Sequence, residues 1–431
     1  MGQDSFNVDK TAIQLIMSDS ATEKMQLARS IFEIACERGI YPSSIHDFYM
    51  ARGRGEFSGF TVPAINLRSM TYDLARAIFR VAHINNSGAF VLEIARSEIG
   101  YTNQMPIEYA SMVLAAAIRE GYSGPVFIQG DHFQVNATKF KEDPEKEIER
   151  LESLIRDAIG WGFYNIDIDS STLVDVSKPD LREQQLLNYE VCARLTRFIR
   201  SIEPKGITVS VGGEIGEIGH QNSTPEDLRA FMSGLEDKLG KGFTSISKIS
   251  VQTGTTHGGV VLPDGSIAQI KLDFNTLKTL SEVCRREYGL AGAVQHGAST
   301  LPPEAFHKFV ECETAEVHLA TQFQNMIYES EHFPSELKRR IYEWIKINLS
   351  SEAKPGQTEE QFLYKTRKKG LGPFKKEIWG LTQEKRDAIA AEIEKKFDFL
   401  FKQLNVVNNR TLVDKYTKLA SYSSSSSQDP R

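Results

Sequence analysis

The sequence is poor in cysteine, lacks a long apolar run and carries no strong excess of either charge, and each shortage removes a class of function. Four cysteines, Cys36, Cys192, Cys284 and Cys312, are scattered through 431 residues. They are too few and too far apart for a disulfide framework or a thiolate zinc site. No stretch approaches the roughly 18–20 apolar residues that a bilayer crossing needs, so no membrane-spanning helix is expected. The 51 basic and 57 acidic residues are spread along the chain and leave a formal charge of -6. That balance offers no broad basic field for nucleic acid or anionic lipid. The opening MGQDSFNVDK has no basic-plus-apolar signal segment, and together with the few cysteines it predicts a cytoplasmic protein. What remains is 40% hydrophobic, 10% aromatic and 25% charged, an ordinary globular composition, long enough for one large domain or two smaller ones.

Periodicity divides the chain. Apolar residues at Ile13, Ile16, Met17, Leu27, Ile31, Ile34 and Ala35 recur at three- and four-residue steps and predict an N-terminal helical extension over 1–45. From residue 60, short β-forming runs alternate with helix-length stretches. The runs cover 60–65, 90–94, 126–129, 164–169, 207–211, 246–251, 291–295 and 315–319. Repeated β-then-α units imply parallel strands, and this number of them fits a closed (β/α)8 TIM barrel, of the α/β class, over 46–330. No Gly-rich nucleotide fingerprint follows the first run, which counts against a dinucleotide-binding sheet. Ser223–Thr224–Pro225–Glu226–Asp227 marks a helix start, with a capping hydroxyl, a first-turn proline and acids. Beyond 330 the β rhythm stops, and a C-terminal helical extension is expected over 331–420, with helices at 333–348 and 384–404. A basic stretch between them carries Lys365, Arg367, Lys368, Lys369, Lys375 and Lys376. It reads as a solvated loop, the other reading being an anion-binding flap over a site. The Ser-rich end, 421–431, is expected to be disordered.

Barrel sites lie at the C-terminal ends of the strands. The residues there are Asn66, Arg96 and Ser97, Asp131 and His132, Asp169 to Ser171, Glu214, Thr253 to His257, His296, and His318 to Thr321. Of the nine histidines, His132, His257 and His296 end three different runs beside small residues. Three imidazoles with an open fourth position suit catalytic zinc, with Glu214 as a further ligand or a supporting carboxylate. Asp131 adjoins His132 and is a candidate acid/base; its other reading is a cap or ion pair. His46, His83, His307 and His332 read as structural or solvated. The first run ends in Asn66 rather than a His-x-His pair, so an amidohydrolase site is not expected. Alternation also turns Lys248, Glu93, Asp167 and Glu316 inward. Lys248 is therefore expected to neutralise one or more of these acids inside the barrel.

These motifs resemble the class II, metal-dependent ketose-bisphosphate aldolase family from Val62 to about Thr321. Val62–Pro63–Ala64–Ile65–Asn66 is similar to its first-strand segment, Gly130–Asp131–His132 to its Asp-His segment, and Ile168–Asp169–Ser170–Ser171 to its Ile-Asp-x-Ser segment. Glu214–Ile215–Gly216 is similar to its Glu-Leu-Gly, Thr253–Gly254–Thr255–Thr256–His257–Gly258 to its Gly-Thr-x-His-Gly, and His296–Gly297–Ala298–Ser299 to its His-Gly-Gly-Ser. The resemblance implies zinc or another divalent transition metal on His132, His257 and His296, with Glu214 and Asp169 attending a metal or a monovalent cation. It implies Asp131 as general acid/base, and Gly258, Gly297, Ser299 and Thr321 around the phosphate of a dihydroxyacetone-phosphate-like substrate. Asn66 and Ser97 are further substrate-binding candidates. The implied reaction is reversible retro-aldol cleavage of a phosphorylated ketose by a lyase of carbohydrate metabolism.

Three departures stand out. His318–Leu319–Ala320–Thr321–Gln322 replaces the family's Asn-x-Asp-Thr-Asp, so His318 is a candidate proton donor or added metal ligand. The loop after Glu214 reads Gly219–His220–Gln221–Asn222 instead of carrying an acidic pair, leaving His220 or Glu217 as its base. The terminal helices have no assignable counterpart, and covering the barrel or building a homo-oligomer, dimer or tetramer, is expected of them. The altered segments keep two alternatives open: a sugar or ketouronate epimerase or isomerase using the same enediolate chemistry, and a non-catalytic sugar-phosphate-binding relative.

Overall fold

Short β-forming runs, each too short for a stable helix, alternate here with amphipathic stretches, and the chain folds accordingly. The computed structural model describes residues 6–216, 221–254, 262 and 272–418. Its strands are β1 (Ile40–Pro42), β2 (Val62–Asn66), β3 (Val91–Ala95), β4 (Gly124–Gln134), β5 (Asn165–Asp169), β6 (Ser210–Gly216), β7 (Lys248–Val251), β8 (Ala293–Gln295) and β9 (Glu316–Leu319). Strands β2 to β9 pair in parallel in chain order, and β9 returns to β2 with Val62 opposite Glu316 and Ala64 opposite His318. The sheet closes as a (β/α)8 barrel. Helices Thr71–Ile84, Pro106–Arg119, Pro144–Gly160, Leu186–Ile202, Pro225–Leu239, Phe274–Tyr288, Phe306–Glu311 and Thr321–Glu329 follow successive barrel strands. At the predicted start, Thr224 Oγ1 accepts from Asp227 N at 3.2 Å and Asp227 Oδ2 accepts from Thr224 N at 2.9 Å, with Pro225 next.

Differences from the sequence reading at β4, β6 and the N-terminal extension bear on the site and its frame. Strand β4 continues beyond 129 to Gln134, and β6 runs from Ser210 to Gly216, so Asp131, His132 and Glu214 lie within strands rather than after them. Each strand also carries one extra residue, marked by register shifts between Gly130 and Phe133 and between Glu214 and Gly216. A bulge breaks strict alternation and re-aims neighbouring side chains. The N-terminal extension is not wholly helical either. After helices Val8–Met17 and Ala21–Glu37, β1 pairs with the start of β4, Ile40 opposite Gly124. Three residues are too few to show a period, and pairing with a barrel strand supplies the order that local propensity does not.

The barrel interior is charged and paired. Lys248 Nζ donates to Gln129 Oε1 at 2.7 Å, to Asp167 Oδ2 at 2.9 Å and to Glu316. Glu93 is not its partner: it accepts from Gln129 Nε2 at 2.9 Å and lies 3.2 Å from His318 Nδ1. Gly212 makes the space, since a Cβ there would strike the Asp167 carboxylate. Helix His46–Gly53 covers the N-terminal end, where the Tyr49 hydroxyl donates to Glu316 and buried Arg52 donates to Phe60 O at 2.6 Å and Thr314 O at 3.1 Å. Outside, helix Gln383–Gln403 lies along Thr71–Ile84. Its Phe397 meets Phe323 at a centroid distance of 4.9 Å, and its Phe401 meets Phe90 at 5.4 Å. Among the described residues no helix is long and apolar enough to cross a membrane.

Candidate metal and substrate site at the barrel mouth

The C-terminal ends of β4, β5, β6, β8 and β9 bring their polar residues together. His132 sits in the β4 bulge with φ at 40°, in the left-handed region that β-carbon sterics disfavour. That turn lets His132 and its neighbour Asp131 both reach the mouth. His132 Nδ1 lies 2.9 Å from Asp169 Oδ2 and 3.3 Å from Glu214 Oε2. The His132 and His296 rings are 4.2 Å apart by centroid, and His296 Nε2 lies 3.5 Å from Asp131 Oδ1. His318 completes the cluster, with Nδ1 3.0 Å from His296 Nε2 and 3.2 Å from Asp131 Oδ1, and Nε2 2.7 Å from Glu316 Oε1.

The charges are mutually dependent. Burial opposes ionisation of Asp131, but the neighbouring His132 and His318 hold its carboxyl well below the usual range. Burial would strip the proton from His132 and His318, yet Asp131 and Glu214 push the first up, and Glu93 and Asp131 the second. Burial, with His318 and His132 adding to it, drives His296 well down. Burial raises Glu214 and Glu93 to about 7, while Asp169 is held low against burial by its bond to His132.

Overlapping donor sets result, two of them built on His132. Ligand atoms of Asp131, His132 and His296 lie within 4.8 Å of one another, and so do those of His132, Asp169 and Glu214. Imidazole and carboxylate donors suit a divalent transition metal, and the carboxylate-rich second set suits a harder cation. The donor chemistry therefore fits the metal that the motifs imply. His257, Gly258, Glu217 and His220 lie outside the described residues.

Above the cluster opens a cavity of about 850 Å³ whose lining includes Asn66, Ser97, Gly297, Ser299 and Thr321, the predicted substrate-side residues. Asn66 Nδ2 donates to Glu98 Oε2 at 2.6 Å, which turns this amide toward a carboxylate of the wall. The strand-end reading missed Arg68, Glu98 and Tyr101, which also line the cavity. Arg68 Nε donates to Glu98 Oε1 at 2.7 Å and its Nη1 to Gln324 Oε1 at 3.1 Å. Arg68 stands two residues past the end of β2, so reading further beyond each strand would have found it. Tyr364, Lys365 and Lys368 reach the cavity from the C-terminal extension, so the basic stretch is not merely a solvated loop.

No curated protein sequence matches the chain. Among solved structures, a probable tagatose 6-phosphate kinase from Sinorhizobium meliloti aligns with TM-score 0.56 and 15% identity, covering 82% of this chain and 99% of that one. A fructuronate-tagaturonate epimerase from Cohnella laeviribosi aligns with TM-score 0.54 and 12% identity, covering 92% of this chain and 86% of that one. A fructose-bisphosphate aldolase from Campylobacter jejuni aligns with TM-score 0.49 and 18% identity, over 84% and 94%. At such identities the first two bear on the fold alone, and it is the same fold. Residues 54–403 match the family model for class II fructose-bisphosphate aldolase, a span that begins before β2, takes in every barrel strand and reaches helix Gln383–Gln403. With His132, His296, Asp131, Asp169 and Glu214 gathered at the barrel mouth, the chain belongs to the class II fructose-bisphosphate aldolase family.

Proposed function

We propose that the protein is a zinc-dependent aldolase-type lyase that reversibly splits a phosphorylated ketose into a dihydroxyacetone-phosphate-like ketone and an aldehyde. The observation that carries this reading is the approach of His132, His296 and Asp131 at one mouth, 4.2 Å between the rings and 3.5 Å from His296 Nε2 to Asp131 Oδ1. Zinc or a similar divalent ion, held by His132 and His296 together with His257, supplies positive charge that stabilises negative charge developing on the ketone side of the broken bond. Asp131, beside His296 and His318, accepts the proton of the hydroxyl that becomes the aldehyde. His318 Nδ1, 3.2 Å from Asp131 Oδ1, is placed to exchange a proton with it. Gly297 and Ser299 offer amides and a hydroxyl to a phosphate, and Asp169 and Glu214 orient His132 or share a monovalent cation.

His318 favours a second reading. It puts an imidazole against both Asp131 and His296 where the family motif has an asparagine, and two acid/base groups at one mouth suit epimerisation or isomerisation without carbon–carbon cleavage. Incubating the zinc-loaded protein with ketose phosphates, free ketoses and ketouronates, followed by mass spectrometry, separates the readings. Triose-sized fragments are expected. Products of unchanged mass support epimerisation, and binding without conversion refutes both.

A further inference from the structure

Glu316 and His318 stand two residues apart on β9, so their side chains take the same inward face, Glu316 in the barrel interior and His318 at the mouth. His318 Nε2 lies 2.7 Å from Glu316 Oε1, while Nδ1 of the same ring lies 3.2 Å from Asp131 Oδ1 and 3.0 Å from His296 Nε2. The two nitrogens of one imidazole thus face different partners. A half-turn about the Cβ–Cγ bond would exchange both nitrogens for ring carbons, losing the bond to Glu316 and the approach to Asp131 together. The bond to Glu316 therefore selects which way round the ring sits.

Glu316 is itself held on several sides. Its carboxylate accepts from Gln129 Nε2 at 2.9 Å, from Lys248 Nζ and from the Tyr49 hydroxyl, donors carried by β4, β7 and helix His46–Gly53 at the N-terminal end of the barrel. Glu316, Gln129 and Tyr49 are fully buried, and Lys248 and His318 nearly so. A buried ion pair is often no more stabilising than well-packed apolar side chains of similar volume. Filling the barrel therefore does not account for a charged layer beneath the mouth. Orienting an imidazole does, because a group that exchanges protons must be held within about 0.5 Å of its productive place by neighbours that are themselves fixed.

We propose that Glu316 is a positioning residue, which fixes the His318 ring with Nδ1 toward Asp131. The proposal rests on reading His318 as the proton-exchanging partner of Asp131. It gives the departure at 318 a built support: the histidine that stands where the family motif has an asparagine comes with a carboxylate one layer below.

A double-mutant cycle on the metal-loaded full chain, with asparagine as the reference at 318, tests this. E316Q should lower kcat by about 10-fold or more, the order of one charge-assisted hydrogen bond, with KM moved by less than about threefold. In an H318N background the same change should cost less than about twofold, because the ring it positions is gone. Tyr49→Phe removes one donor from Glu316 and keeps the carboxylate. It should lower kcat by about threefold with the same dependence on His318, and it carries the test if E316Q fails to fold. Equal losses in both backgrounds, the signature of a merely structural role, overturn the proposal, as does an E316Q protein of native kcat. The bond itself is read without turnover. Proton NMR of the native chain should show a far-downfield ring N–H signal that is lost in H318N and moves upfield in E316Q. A native spectrum without that signal, or a signal untouched by E316Q, overturns the positioning bond. If the signal behaves as expected in a chain that converts no ketose, the orientation of His318 stands and the catalytic reading falls instead.

Discussion

Asp131 and His132 are consecutive in the chain and yet serve one mouth, because the β4 bulge and a φ of 40° at His132 override the alternation of an ordinary strand. The residue types and their adjacency were readable in the sequence. The bulge was not, since nothing local in Gly130–Asp131–His132–Phe133 distinguishes a regular strand from a shifted one. Proton transfer through Asp131 makes a distinct prediction from metal binding. Asp131→Asn keeps the shape and a donor set on histidines, so metal content should persist while turnover falls about 100-fold or more. Near-normal turnover in a metal-replete variant contradicts the assignment. His318 was visible as a departure, but its bond to Glu316 joins the mouth to the barrel interior in a way that only the three-dimensional arrangement reveals.

At the level of elements, the β-then-α rhythm was legible because the strand runs are short and rich in β-formers and amphipathic stretches separate them, three of which open on a capping side chain at Asp143, Thr224 and Asp273. The ends of β4 and β6 were less so, because polar functional residues interrupt the apolar runs there. Alternation did predict the inward acids and Lys248, and two of the three candidate acids, Asp167 and Glu316, pair with it. Burial pushes Asp167 up to about 6 even beside Lys248, whereas Lys248 and His318 overcome burial at Glu316 and hold that carboxyl far down. Removing the cation should therefore be costly. Lys248→Met leaves buried acids without their partner and is expected to destabilise the protein by about 3–5 kcal/mol, read as a lower midpoint in urea. A midpoint unchanged from the native protein contradicts a structural role for the pair.

For the whole molecule, the terminal segments carry what composition could not show. β1 pairs alongside the start of β4, helix Gln383–Gln403 covers Thr71–Ile84, and the basic segment forms part of the cavity wall. Burial also couples stability to pH. Desolvation, aided by Arg200 and Lys418 and opposed by Asp47, depresses His46 from 6.5 to about 4. As pH falls, the unfolded chain binds this proton first, so the stability is complete above pH 6.5 and declines from there toward pH 4, by at most about 3 kcal/mol. Thermal melts of native protein and His46→Gln from pH 7.5 to 4.5 should converge as pH falls, and parallel curves contradict the assignment. The most direct test of the whole account is metal stoichiometry. After equilibrium dialysis against limiting zinc, the native chain should retain the tightly held ion, and His132→Ala, His257→Ala and His296→Ala should each lose it while remaining folded by circular dichroism. Full retention of that ion in any two of these variants, or none in the native protein, contradicts a shared histidine site at the barrel mouth.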